Sequence, residues 1–179
     1  LMESNKPFVT AFHVQVSGVT ISGFRIGVAS ILGELASVYL APVLSDIEIS
    51  DNEMDGGGSP GSRGVLLGLY GSGSSYSDVY ITHNVIHDLT TGIYTNPHGG
   101  IVNILYNEIY DTLAGIGGAT GVTVMYNTFH DNGEAIGADD YTINTVIHYN
   151  NIFDNTIGVK NYGPTFAVVV DAEYNWWGS

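Results

Sequence analysis

Seven times along this chain the same short pattern returns, and the spacing of its parts is that of a β-strand that ends in a turn. With a central position taken as zero, a β-branched or similar residue stands at minus five. Another stands at minus three, and a large apolar residue at plus two. Asparagine fills the centre in six copies, at Asn52, Asn84, Asn107, Asn127, Asn150 and Asn175. Around Asn107 the flanking residues are Val102, Ile104 and Ile109; around Asn127 they are Val122, Val124 and Phe129. A looser copy carries Thr145, Ile147 and Ile152, the last carries Val170, Ala172 and Trp177, and the first (Val19, Ile21, Ile26) has Phe24 in the asparagine place.

The gaps between successive centres are 28, 32, 23, 20, 23 and 25 residues. A period in the low twenties with insertions is too short for most helical repeats, and the period-two alternation inside each copy selects strand. The leucine consensus of the horseshoe repeats is missing. Each copy also has a second apolar beat behind a small residue, as in Gly92-Ile93, Gly115-Ile116, Ala135-Ile136 and Gly158-Val159. One coil therefore holds at least two short strands, and successive coils stack in parallel at about 4.8 Å, so that seven span roughly 34 Å. The chain reads as an all-β solenoid of seven or eight coils.

Stacking explains the asparagine. The same position of every coil lies over its neighbour, so like residues form ladders along the axis. An asparagine at a bend can pass amide hydrogen bonds up and down such a ladder. It also tolerates turn geometry. The six asparagines are expected to be structural corner residues.

These copies, with the "VTISGF" of Val19 to Phe24 and the closing "YNWWGS" of Tyr174 to Ser179, resemble the right-handed parallel β-helix repeat proteins. That superfamily includes pectate lyases, polygalacturonases, NosD-like proteins and many cell-surface proteins. The resemblance covers nearly the whole chain and implies a right-handed parallel β-helix. It implies no single activity, because the repeat records stacking and not chemistry.

Charge narrows the partners. Four Lys and Arg stand against 18 Asp and Glu, for a net charge of -14, which repels a phosphate backbone and leaves few cations to neutralise it. Nucleic acid is not an expected partner. The same field opposes polyanionic sugars unless a divalent cation bridges the carboxylates. No apolar run reaches the length of a membrane helix. There is no cysteine, so disulfides and thiolate metal sites are excluded. Residues 1–179 read as one domain, and the start at Leu1 suggests a segment of a larger protein.

The alternation from Phe8 to Val16 predicts a strand pair that feeds the first coil. The stretch from Gly27 to Ser45 includes an apolar run, Ile31 to Leu40, that reads equally as a short helix or an additional strand. Between Asp55 and Asp78, the Gly- and Ser-rich tracts on either side of Val65 to Tyr70 predict loops leaving the solenoid. Trp176 and Trp177 are candidates for an apolar lid at the C-terminal end, and Leu1 to Pro7 for a cap at the other. Open solenoid ends otherwise leave strand edges unpaired.

Histidines at repeat positions (His83, His87, His130) share their places with Tyr106, Tyr110, Tyr126, Tyr149 and Tyr174, which predicts ring stacking and no metal centre. His13, His98 and His148 show no convergent spacing. Asp88, Asp111, Asp131 and Asp154 fall at plus four in consecutive copies and are expected to close turns. Such an acidic row could instead bind calcium, and no other cofactor is expected.

The resemblance to polygalacturonases makes their motifs worth seeking: N-T-D, D-D, G-H-G and R-x-K, in that order. Only Asp139-Asp140 answers to D-D; His98 lies in P-H-G-G ahead of it, and N-T-D and R-x-K are missing. Asp139 and Asp140 are the candidate acidic site. Of the cations, Arg25 reads as an outward strand residue, and Arg63 and Lys160 remain for a site. Tyr70, Tyr76, Tyr94 and Tyr162 are the candidate sugar-stacking residues. No N-x-S/T triplet occurs.

The leading expectation is a non-catalytic extracellular or cell-surface β-solenoid that associates with copies of itself through its ends or faces. The alternative is a polysaccharide-acting enzyme, a lyase or glycoside hydrolase, or a glycan-binding β-helix.

Overall fold

In the computed structural model the alternating segments form strands and each repeat centre forms a bend. The structure describes residues 9–27, 35–68, 74–95, 98–138, 145–162 and 170–178. Coil one is β1 (Val9–Val14), β2 (Val19–Ser22) and β3 (Arg25–Gly27), and coil two is β4 (Leu35–Leu40), β5 (Leu44–Ser50) and β6 (Glu53–Asp55). Coil three follows as β7 (Ser62–Leu67), β8 (Ser74–Thr82) and β9 (Val85–His87), and coil four as β10 (Thr91–Thr95), β11 (His98–Leu105) and β12 (Glu108–Tyr110). Coil five is β13 (Ala114–Ala119), β14 (Val122–Met125) and β15 (Thr128–His130). Coil six is β16 (Glu134–Ala138), β17 (Val146–His148) and β18 (Asn151–Phe153), and β19 (Ile157–Asn161) opens the seventh.

The sheets are built by taking every third strand. The seven-stranded sheet runs β1-β4-β7-β10-β13-β16-β19; the two six-stranded sheets are β2-β5-β8-β11-β14-β17 and β3-β6-β9-β12-β15-β18. Every ladder is parallel. Single bridges from Val146 to Asp171 and from Asn151 to Trp176 begin a seventh rung on the six-stranded sheets. The asparagine repeat thus spans two strands of different sheets with the bend between them, and the second apolar beat is the strand that opens the next coil.

Inward residues of all three sheets fill one core. Ile47, Ile49, Met54, Ile81, Ile86, Ile93, Ile104, Ile109, Val124 and Phe129 are fully buried within it. The small residue ahead of the second beat has a steric cause. A Cβ at Gly64 would meet the carbonyl of Gly92 at 2.5 Å, one at Gly92 the carbonyl of Gly115 at 2.6 Å, and one at Gly115 that of Ala135 at 2.6 Å.

Three expectations change. Phe8 to Val16 contributes one described strand, β1, and no pair. The run ending at Leu40 resolves as strand over Leu35–Leu40; its beginning lies outside the described residues. The serine tract expected to loop out is strand from Ser74 onward, because Tyr76 is fully buried and its hydroxyl donates to the Leu40 carbonyl at 3.1 Å. Tyr76 faces Leu44 on one side and Gly100 on the other. A Cβ on Gly100 (φ 120°) would collide with the Tyr76 carbonyl oxygen, so that rung requires glycine.

Candidate functional site

The corners come first, because they decide which side chains leave the solenoid and where. At each repeat centre the asparagine serves the coil before it. Asn107 Oδ1 accepts the backbone N–H of Asn84 at 2.9 Å and its side-chain amide at 3.0 Å, while Asn107 Nδ2 donates to the carbonyl of Ile81 at 2.8 Å. The same set links Asn52 to Asn84, Asn107 to Asn127, Asn127 to Asn150 and Asn150 to Asn175. Phe24 is tolerated because the first coil only donates: its N–H reaches Asn52 Oδ1 at 3.0 Å.

The residue before each asparagine turns through positive φ, at Asp51, His83, Tyr106, Tyr126, Tyr149 and Tyr174, with values from 55° to 60°. A bulky residue there is strained by about 1 kcal/mol. Ring stacking offsets it: His83, Tyr106, Tyr126, Tyr149 and Tyr174 form one file with centroids 5.1 to 5.5 Å apart and planes within 13°. A second file at plus three is His87, Tyr110, His130 and Phe153, spaced 4.9 to 5.3 Å. Because these rings cover one another's faces, the files present edges and hydroxyls outward and do not offer a stacking platform for a sugar ring.

Asp88, Asp111, Asp131 and Asp154 form the next corner, all at φ between 49° and 55°. One position on runs a second amide ladder that the repeat template did not include. Thr112 Oγ1 donates to Asn132 Oδ1 at 2.7 Å, Asn132 Nδ2 to Asn155 Oδ1 at 2.9 Å, and Asn155 Nδ2 back to the Phe129 carbonyl at 2.9 Å. The pairs Asp131-Asn132 and Asp154-Asn155, aligned at the same offset, are the signal that would have found it.

The outer face of the seven-stranded sheet is where scattered sequence candidates meet. One outward column passes in register from His13 through Tyr39 and Leu66 to Tyr94 and Gly117. It resumes as Gly137 and Lys160. Tyr39 and Leu66 pack with Ala36 and Tyr94 in a small apolar cluster separate from the core. Burial raises the Tyr39 phenol above its ordinary pKa.

Two cation–ring pairs occupy this face. The Arg63 guanidinium lies 5.3 Å from the Tyr94 ring centre, and Lys160 Nζ 4.1 Å from that of Tyr162. Glycine lets both rings lie against the sheet: a Cβ at Gly117 would stand 3.1 Å from the Tyr94 ring, and one at Gly137 3.1 Å from the Tyr162 ring. Glu134, which the sequence reading did not select, sits beside the Lys160–Tyr162 pair. Its carboxylate accepts from the Tyr162 hydroxyl at 2.7 Å, and Lys160 Nζ lies 4.0 Å away. The Tyr162 hydroxyl is the main cause that holds the Lys160 ammonium above its ordinary pKa, against the opposing effect of desolvation and with a lesser contribution from the Glu134 charge.

The face therefore joins Tyr94, Tyr162, Arg63 and Lys160 from coils three to seven. The register neighbours of Glu134 are Ala114 and Ile157. Tyr76, buried in the core, presents no ring to a ligand and drops out of the candidate set. Tyr70, Asp139 and Asp140 lie outside the described residues.

The three-sheet winding, the corner ladders and the repeat agree with comparison to known families. No curated protein and no solved structure gives a significant match. The family model described as "Right handed beta helix region" matches residues 9–171. This chain belongs to the right-handed β-helix family.

Proposed function

We propose that this chain is a non-catalytic β-solenoid that works at the cell surface or outside the cell, as a rigid element that associates with copies of itself through its ends. One observation supports the reading: among the described residues, the first and last rungs of the stack present apolar side chains beside strand edges that no other described strand pairs. At the N-terminal end β1, β2 and β3 are the outermost strands of their sheets. There Phe12, Val14, Val16, Val19, Ile21 and Phe24 line a cavity of about 330 Å³, with Val16 64% and Phe24 48% exposed. At the other end the Trp177 ring lies over Gly158, yet Trp176 and Trp177 remain about half exposed. Such edges pair with another strand unless something blocks them.

Sedimentation velocity across a hundredfold range of concentration tests this. Association that grows with concentration, and that Phe24→Glu and Val16→Glu suppress without altering the circular dichroism, supports it. A particle that stays monomeric throughout overturns it.

A second reading, a neutral glycan laid across the seven-stranded sheet, is supported by the convergence of Tyr94, Tyr162, Arg63 and Lys160 on one face. Arg63 and Lys160 are two of only four cations in the chain. A glycan array followed by Tyr162→Ala separates the readings. Binding lost in that variant favours the glycan, and release of new reducing or unsaturated ends would make the protein an enzyme.

A further inference from the structure

At the corner where β9 turns toward β10, Asp55 of the preceding coil meets the consecutive pair His87 and Asp88. Asp55 of β6 is paired in register with His87 of β9, and Asp88 follows at the corner. One ligand atom from each lies within 4.8 Å of the other two, a separation that modest side-chain adjustment closes to that of a shared coordination sphere. His87 is held in place: its ring stacks on Tyr110 at 4.9 Å with planes 6° apart, and its side chain is 11% exposed.

A second feature points to a cation. His87 Nδ1 lies 2.8 Å from Asp88 Oδ2, and Nε2 lies 3.6 Å from Glu53 Oε1. At 3.6 Å the Glu53 oxygen is outside hydrogen-bond reach of Nε2, so the close contact is the one between Nδ1 and Asp88, the position that a metal ion shared by the two groups would take. Two coils on, His130 meets the same bracket, with Asp131 at 2.8 Å and Glu108 at 3.4 Å. There, however, the residue in register is Tyr110. Of these two copies, the His87 one has a further carboxylate, Asp55, in register with the ring.

We propose that Asp55, His87 and Asp88 form a binding site for a divalent transition metal of the zinc class. One imidazole nitrogen with two carboxylates is the donor set that such ions accept. Calcium and magnesium prefer oxygen alone. Arg25 opposes the ion: it lies 3.2 Å from Glu53 and 3.9 Å from Asp55, and is mostly exposed.

The test is calorimetric titration of chelator-stripped full-length protein with zinc chloride, with cobalt(II) visible absorption as a report on coordination. One ion per chain is expected. Asp55→Asn and His87→Gln should each weaken binding about tenfold or more. His130→Gln should leave it unchanged, and Arg25→Gln should strengthen it a few-fold. Asp55→Asn keeps an oxygen for the Gly57 N–H that Asp55 Oδ1 accepts at 2.8 Å, and circular dichroism verifies that each variant is folded. Absence of saturable binding up to about 1 mM ion, an unchanged affinity in Asp55→Asn, or an equal loss in His130→Gln would overturn the site.

Discussion

Asn107 takes two amide hydrogens from Asn84 and returns its own to the carbonyl of Ile81, so deleting it damages the coil below more than its own. Asn107 and its partners are almost fully buried, and groups left without a partner there cost about 1–3 kcal/mol each. Asn107→Ala is expected to lower stability by about 3 kcal/mol, measured by denaturant or thermal unfolding. Asn175→Ala, at the half-buried end of the ladder, should cost clearly less. At Gly100 the obstacle is steric: Gly100→Ala should disrupt the β8–β11 register, read as loss of the cooperative transition, because the Tyr76 carbonyl occupies the space of the new Cβ. The asparagine spacing was legible in sequence because every coil repeats one hydrogen-bonding demand. Phe24 was legible as an exception, but its tolerance follows only from the direction in which the amides point.

Between residues and the whole, the aromatic files are the element that carries pH dependence. Burial tends to lower the His130 imidazole pKa, but hydrogen bonds to Asp131 and Glu108, with their charges, outweigh this and leave it raised. The folded state then holds the proton more tightly than the unfolded chain does. The resulting stability is complete below the ordinary imidazole value of about 6.5, and is lost as pH rises through the higher folded value. His130→Phe should keep the stack between Tyr110 and Phe153 and abolish this slope in midpoint temperature measured from pH 5 to 9. At the last rung the sign reverses. A hydrogen bond from His148 at 2.6 Å is the main cause that holds the Asp171 carboxyl below its ordinary range. Its contribution is present above the usual aspartate value and is lost as pH falls through the lowered one. The stacking of tyrosines with histidines was readable from shared repeat positions. The carboxylates around each ring were not, since Glu108 reaches His130 across a coil.

For the whole molecule, stacking is a nearest-neighbour matter, so stability should be a sum over rungs with frayed ends. Hydrogen exchange is expected to be slowest in coils three to five, where Ile81, Ile86, Ile104, Ile109, Val124 and Phe129 are fully buried, and fastest at β1 and in residues 170–178. Uniform protection from end to end would contradict this. What the sequence determined by itself was the winding: alternation sets the strands, asparagine sets the corner, and a constant offset forces parallel register. These are local demands repeated in every coil at intervals of 20 to 32 residues, and one coil suffices to display them. Only the tertiary structure decided which distant side chains share a surface. It buried Tyr76 and drew Arg63, Tyr94, Lys160 and Tyr162 onto one sheet, because insertions between the repeat motifs shift which residues meet there, whereas the pairing of Asp55 with His87 follows from their shared plus-three place in the repeat.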